Sequence, residues 1–226
     1  MKSAGRLLVV AVAVFMPLIA GAANARENLT GACSNQPATI VGTSGDDRLN
    51  GTGRDDVIDG GAGNDRVSGG GGNDTICGGD GDDRLDGGIG TDQVDGGPGD
   101  DLLTGGLGLD LLDGGPDDDT LSGGPGRDVA LYGRSSAPVR VDLGRGQATG
   151  WGTDGLTGVE TVAGSRFADV LLGDNGRNHL AGQQGNDRLS GSGGSDLLDG
   201  GPGADLIDGG LGADLCVAGE KKVRCP

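Results

Sequence analysis

Aromatic side chains are nearly missing. Phe15, Tyr132, Trp151 and Phe167 are the only four in 226 residues, too few for an ordinary globular core. The chain has one histidine, His179, so an H-E-x-x-H zinc site cannot be assembled. His179 is read as an outward-facing surface residue, which leaves no base for a serine or cysteine nucleophile. Positive charge is scarce: 17 Lys and Arg stand against 34 Asp and Glu, a formal charge of −17. Such a balance argues against nucleic-acid partners, which reward clustered Lys and Arg. The four cysteines form no C-x-x-C pair, so a metal role for them is not expected. No apolar run is long enough to span a membrane, and the period of three that collagen requires is absent.

What the chain does have is glycine and aspartate. It carries 53 Gly and 8 Pro, a share that signals low-complexity disorder unless a period organises it. Met1 to Ala25 reads as a secretory signal peptide. Lys2 and Arg6 form its basic start, Leu7 to Ala20 its apolar stretch, and Ala23-Asn24-Ala25 its small-residue cleavage site. An uncleaved N-terminal anchor is the alternative.

From Gly42 the chain divides into ten nonapeptides ending at Leu131. After an interruption the same frame resumes at Gly164 for six more, ending at Val217. GGDGDDRLD from Gly78 and GGPGDDLLT from Gly96 are among the most regular. The sixth position of the first block is Asp47, Asp56, Asp65, Asp74, Asp83, Asp92, Asp101, Asp110, Asp119 and Asp128. In the second block it is Asp169, Asn178, Asp187, Asp196, Asp205 and Asp214. The eighth position is apolar throughout, from Leu49 to Cys216, with Ala130 the smallest side chain.

Each column has a physical task. Glycine at positions one, two and four permits tight turns with φ > 0. Positions seven to nine form a short strand whose middle side chain points inward, and stacked strands build a thin aliphatic core. The aspartates then crowd along the turns, where like charges are unfavourable unless a cation lies between them. An oxygen-only ligand set with loose geometry suits Ca²⁺ better than Mg²⁺.

These repeats resemble the RTX family of secreted calcium-binding proteins, whose unit is Gly-Gly-x-Gly-x-Asp-x-U-x, with U apolar. The resemblance implies an all-β fold, a right-handed parallel β-roll with two nonapeptides per coil. It also implies Ca²⁺ between neighbouring turns on one side, held by sixth-position Asp and by backbone carbonyls. On that basis the fifteen sixth-position aspartates named above are the expected metal ligands, with Asp65, Asp74, Asp83, Asp92, Asp101 and Asp110 in the best-matching turns. The family's site arrangement sets a ceiling of roughly a dozen ions. Arg54, Asp117 and Phe167 replace the fourth-position glycine, and Asn178 replaces the sixth-position Asp.

Arg48, Arg66 and Arg84 recur every 18 residues and should form one outward column, balanced by Asp46, Asp82 and Asp86. Residues 26–41 read as an N-terminal lead-in and 218–226 as a C-terminal cap. Residues 132–163 read as irregular extra coils without calcium, in which Val139, Val141 and Leu143 mark a half-buried strand and Trp151 plugs a gap in the core. Among the three connectivities open to four cysteines, Cys33–Cys77 and Cys216–Cys225 are favoured, the second closing a cap on the last coil.

The expected function is non-enzymatic calcium binding by a secreted monomer whose fold forms as the ions arrive. An adhesion or matrix protein presenting the stiffened roll to a cell surface or carbohydrate is the alternative. It predicts an outward rank of Thr or aromatics, which positions seven and nine lack. A secreted RTX enzyme or cytolysin would need a catalytic constellation or a long apolar segment, and the sequence offers neither.

Overall fold

Ile58 sits beside Ile76, Val67 beside Leu85 and Leu85 beside Leu103, so each coil advances the register by 18 residues. The computed structural model describes residues 36–218 and 221–225. The signal-peptide reading and Cys33, hence the expected Cys33–Cys77 pairing, lie outside the described residues. Among the described residues there is no helix. Odd and even nonapeptides feed two sheets that face each other across the core, which makes the fold a parallel β-solenoid with two repeats per coil.

One sheet has ten strands, all parallel: Ile40–Val41, Val57–Ala62, Thr75–Asp80, Gln93–Asp95, Leu111–Asp113, Val129–Leu131, Thr161–Ala163, His179–Ala181, Leu197–Asp199 and Leu215–Val217. The facing sheet has twelve strands and runs from Arg48–Asn50 to Lys221–Val223. Fourteen of the sixteen eighth-position side chains are buried in one cluster. Leu49 and Cys216, at the two ends, are partly buried against it. Burying each Leu, Ile or Val stabilises the stack by roughly 1.5–3 kcal/mol.

The interruption departs from expectation. Residues 132–163 are additional parallel coil only in part: Thr153–Thr157 and Thr161–Ala163 stack in parallel on Thr120–Ser122 and Val129–Leu131. Arg140–Asp142, Gln147–Thr149 and Thr153–Thr157 form an antiparallel meander inside the twelve-stranded sheet. Its outer strands rejoin the parallel ladder at Leu121↔Leu156 and Val141↔Leu171. The ten-stranded sheet passes directly from Ala130 to Val162. Val139, Val141, Ala148, Leu156 and Val159 are buried, and Trp151, partly buried, packs against the same core.

Two further expectations are corrected. Glycine at position one does not take φ > 0: Gly79 and Gly81 do, at +114° and +128°, whereas Gly78 does not. Position one requires the missing Cβ instead, because a methyl on Gly78 would collide with Asp83 Oδ2 and the Gly96 carbonyl. His179 is not a surface residue. It is 5% exposed, beside Thr161 and Leu197 in the sheet. Side chains directed away from the main core are not necessarily in solvent here, since Cys77, Val129, Leu131 and Ala163 form a second buried cluster.

The arginine column is present, Arg48 against Arg66 and Arg66 against Arg84, all exposed. Asp46 is engaged elsewhere: its Oδ1 accepts the Asn64 N–H at 2.9 Å. Ile40–Val41 and Lys221–Val223 are strands of the roll, so parts of the lead-in and of the C-terminal cap extend the sheets. Cys216 and Cys225 are disulfide-bonded, with a Cα–Cα distance of 6.0 Å.

Candidate metal centre

The sixth-position side chains stand at the turns just before each strand, one per coil on each edge of the roll. One edge carries Asp47, Asp65, Asp83, Asp101 and Asp119, then Asp169, Asp187 and Asp205. The other carries Asp56, Asp74, Asp92, Asp110 and Asp128, then Asn178, Asp196 and Asp214. All of these are buried except Asp47.

Twelve of them share one geometry. Asp65, Asp74, Asp83, Asp92, Asp101, Asp110, Asp119, Asp128, Asp187, Asp196, Asp205 and Asp214 each accept, on Oδ1, the N–H of the sixth residue one coil earlier. Those bonds measure 2.7–3.0 Å. In the same twelve, Oδ2 is buried and has no hydrogen-bond partner. An unpaired buried carboxylate oxygen is costly, and here it recurs with the period of the fold. Each orphan lies against a position-one glycine, and a carbonyl oxygen of the following coil usually crowds the same spot. Asp83 Oδ2 and the Gly96 carbonyl at Gly78 are one example, and Asp101 Oδ2 and the Gly114 carbonyl at Gly96 another. Anionic and carbonyl oxygens turned into one dry cradle, with no nitrogen or sulfur, fit a hard cation such as Ca²⁺.

Burial pushes the Asp83, Asp92, Asp128 and Asp196 carboxyls up to about 6, with neighbouring carboxylates adding to the shift. The same cause lifts Asp187 to about 7 and both Asp101 and Asp119 to about 8. Asp65, Asp74 and Asp110 are also raised by burial. Among the described residues, no three His, Cys, Asp or Glu side chains converge on one point. One sixth-position carboxylate per coil per edge explains this, because the neighbouring fifth-position side chains are engaged in their own ladder and a site here draws on the backbone for its other oxygens.

The remaining four positions differ. Asp47 Oδ2 accepts the Thr43 N–H at 2.6 Å and the Thr43 hydroxyl at 2.8 Å. Asp56 Oδ2 accepts both groups of Thr52 at 2.8 Å. Asp169 takes the Ser165 N–H on Oδ2 at 2.6 Å and the Ser165 hydroxyl on Oδ1 at 2.7 Å. Asn178 Oδ1 accepts the Asp174 N–H at 2.8 Å. In these turns the second-position residue closes back on the sixth. Hydrogen bonds from the Thr52 hydroxyl and N–H hold Asp56 below the ordinary carboxylate value, opposite to its stack neighbour Asp74. Arg54, Phe167 and Asn178, three departures from the repeat consensus, all fall in this group.

Several participants carry no signal in the sixth-position column. Asp154, in the interruption, takes the Asp119 N–H on Oδ1 at 3.3 Å and the Tyr132 hydroxyl on Oδ2 at 2.8 Å. Glu160 plays the first of these parts for Asp128, accepting its N–H at 3.0 Å. A fifth-position ladder runs in the opposite sense, with Asp46, Asp55, Asn64, Asn73, Asp82 and Asp100 each accepting an N–H from the next coil. The prevalence of Asp and Asn at position five is the sequence signal for that ladder. Within the interruption, Arg134 pairs with Asp95 and, at 2.9 Å, with Asp113, both buried, and lies 5.9 Å from the Trp151 ring centroid.

Comparison with known proteins agrees with this geometry. The family model described as the RTX calcium-binding nonapeptide repeat (4 copies) matches residues 41–76, 69–103, 95–130, 154–189 and 181–216. The matches pass over residues 131–153, where the antiparallel meander begins. No curated protein matches the chain in sequence. With more than half of its length matched, the chain belongs to the RTX calcium-binding nonapeptide-repeat family.

Proposed function

We propose that this protein is a secreted, non-catalytic calcium-binding module whose two rows of turns are stapled by Ca²⁺. The observation that carries the reading is the set of twelve buried, partnerless Oδ2 atoms along the two edges. Asp65, Asp74, Asp83, Asp92, Asp101, Asp110, Asp119, Asp128, Asp187, Asp196, Asp205 and Asp214 supply the carboxylate ligands, and backbone carbonyls of the turns complete each site. About a dozen divalent ions would outweigh the formal charge of −17. Without them the same carboxylates repel one another and resist burial, so most of the binding free energy appears as folding free energy. The signal-peptide reading of residues 1–25 supports a location outside the cell, where calcium is abundant.

A calcium titration of the purified, disulfide-intact chain, followed by far-UV circular dichroism and small-angle scattering, tests this. The expected result is a cooperative gain of β structure and a fall in radius as several ions bind. A chain that is fully compact in chelator and takes up no calcium would overturn it.

A further inference from the structure

The repeat turns exist in two backbone states, and the state decides whether a carboxylate oxygen is left over. In the turns of the twelve partnerless aspartates, the second-position residue has φ > 0 in every case, including Gln183 at +76° and Ser192 at +69°. Its N–H is then turned away from the sixth-position side chain: Gly79 N–H donates to the Gly96 carbonyl at 3.0 Å, and Gly201 and Gly210 N–H donate to Asp199 and Asp208 Oδ1 at 3.0 and 3.1 Å. In the other four turns Thr43, Thr52, Ser165 and Asp174 do not take φ > 0, and the same N–H turns inward onto the sixth-position side chain. The two sets do not overlap. Residue type alone does not separate them, because Ser165 closes its turn while Ser192 leaves its turn open.

The closed turns are not scattered. The turns at Gly42 and Gly51 form the first coil of the first run, and those at Gly164 and Gly173 form the first coil of the second. The interruption just before that second coil is also satisfied from within, since Tyr132 fills the place on Asp154 that a cation would take.

We propose that the opening coil of each run closes without calcium and serves as the template on which the calcium-dependent coils stack. This rests on the calcium reading above and refines it: Asp47, Asp56 and Asp169, expected as ligands from the repeat column, are structural acceptors instead. The closing contacts span four residues, so they form at little loop-closure cost. In a solenoid each unit contacts only its neighbours, and the opening coil of each run has no earlier coil of that run to order it. A coil that satisfies its own buried carboxylates supplies a sheet edge before any ion arrives. Thr43, Thr52, Ser165 and Asp174 are thus positioning residues that decide where calcium is not needed.

Hydrogen exchange on the full chain in chelator tests this. Amides of Thr43, Thr52, Ser165 and Asp174 and of strands Val170–Leu172 and His179–Ala181 should exchange at least about tenfold more slowly than those of Arg84–Gly90. Added calcium should then protect the whole roll. Uniform exchange in chelator, with all coils gaining protection at one calcium midpoint, would overturn the proposal. A second arm counts bound ions by equilibrium dialysis. Asp47→Asn, Asp56→Asn and Asp169→Asn should leave the count unchanged, whereas Asp65→Asn, Asp74→Asn and Asp187→Asn should lower it. An equal drop in both sets overturns the template proposal while the calcium reading stands. No bound calcium in the parent chain, with the opening coils still protected, sinks the calcium reading and leaves the self-closed coils in place.

Discussion

The N–H of Asp83 donates to Asp101 Oδ1 at 2.8 Å, and Asp101 Oδ2, in the same buried carboxylate, has no partner. One oxygen of Asp101 therefore ties two coils together, and the other is left for something the chain does not supply. An amide at this position should separate the two roles. Asn keeps the Oδ1 acceptor and converts the orphan oxygen into a neutral donor facing the Gly114 carbonyl. Asp101→Asn should stabilise the calcium-free roll by about 1–3 kcal/mol, since a buried unsatisfied group is removed. It should also cost one bound ion. Chemical denaturation in chelator and ion counting in calcium measure the two effects, and a substitution that weakened both states would contradict the assignment.

Acidity should act in opposite directions on the two forms. The folded values near 6 to 8 at Asp83, Asp92, Asp101, Asp119 and Asp187 lie above the ordinary 3.8, so the metal-free roll binds protons more tightly than the unfolded chain. That contribution is fully present below about pH 4 and is lost as pH rises through 6 to 8. In chelator, lowering the pH from 8 toward 4 should make the protein more compact by scattering. In calcium, protons compete for the same oxygens, so the calcium midpoint should rise, about tenfold per pH unit for a site that must release one proton. A calcium midpoint that does not change between pH 8 and 5 would be incompatible with these buried carboxylates as ligands.

The glycine columns make a sharper test than their uniform appearance suggests. A Cβ on Gly78 would meet Asp83 Oδ2 and the Gly96 carbonyl, whereas a Cβ on Gly45 would meet nothing within 4 Å. Neither residue has φ > 0, so the comparison isolates space from backbone freedom. Gly78→Ala should weaken calcium binding and lower the melting temperature of the loaded roll. Gly45→Ala should change stability by less than about 0.5 kcal/mol. Thermal unfolding in saturating calcium distinguishes them, and equal effects would show that the cradle at Gly78 tolerates a methyl group.

The period was readable because each nonapeptide answers to the same local physics. Leu85 must face inward two residues after Asp83, and Arg66 must lie beside Arg84, once two repeats close a coil. The sign of φ at position two was not readable, because Ser165 and Ser192 are the same residue in different neighbourhoods. Tyr132 and Asp154 meet across 22 residues inside a segment with no period, so nothing in the columns pointed to them. The antiparallel meander was missed for the same reason. Alternation of Val139, Val141 and Leu143 identified a strand but not its direction. His179 was misplaced because alternation gives the side of a strand, while burial depends on what packs on that side.

Arg134 gives the last prediction, and it concerns stability independent of calcium. Its guanidinium bridges Asp95 and Asp113, ninth-position residues one coil apart, and Asp113 is 1% exposed. Burial lifts the Asp113 carboxyl, the Arg134 charge and hydrogen bond beside it pull it part of the way back down, and the Asp95 and Asp154 carboxylates add to the rise. Arg134→Ala would leave two carboxylates facing each other in a dry pocket, so the loaded roll should lose about 3–5 kcal/mol. Arg134→Met combined with Asp95→Asn and Asp113→Asn should recover most of that loss, because an uncharged cluster needs no counter-ion. Denaturation midpoints in saturating calcium, with the ion count measured alongside, decide it. If the triple variant remained as unstable as Arg134→Ala, the loss would come from packing against Trp151 and not from the missing guanidinium charge.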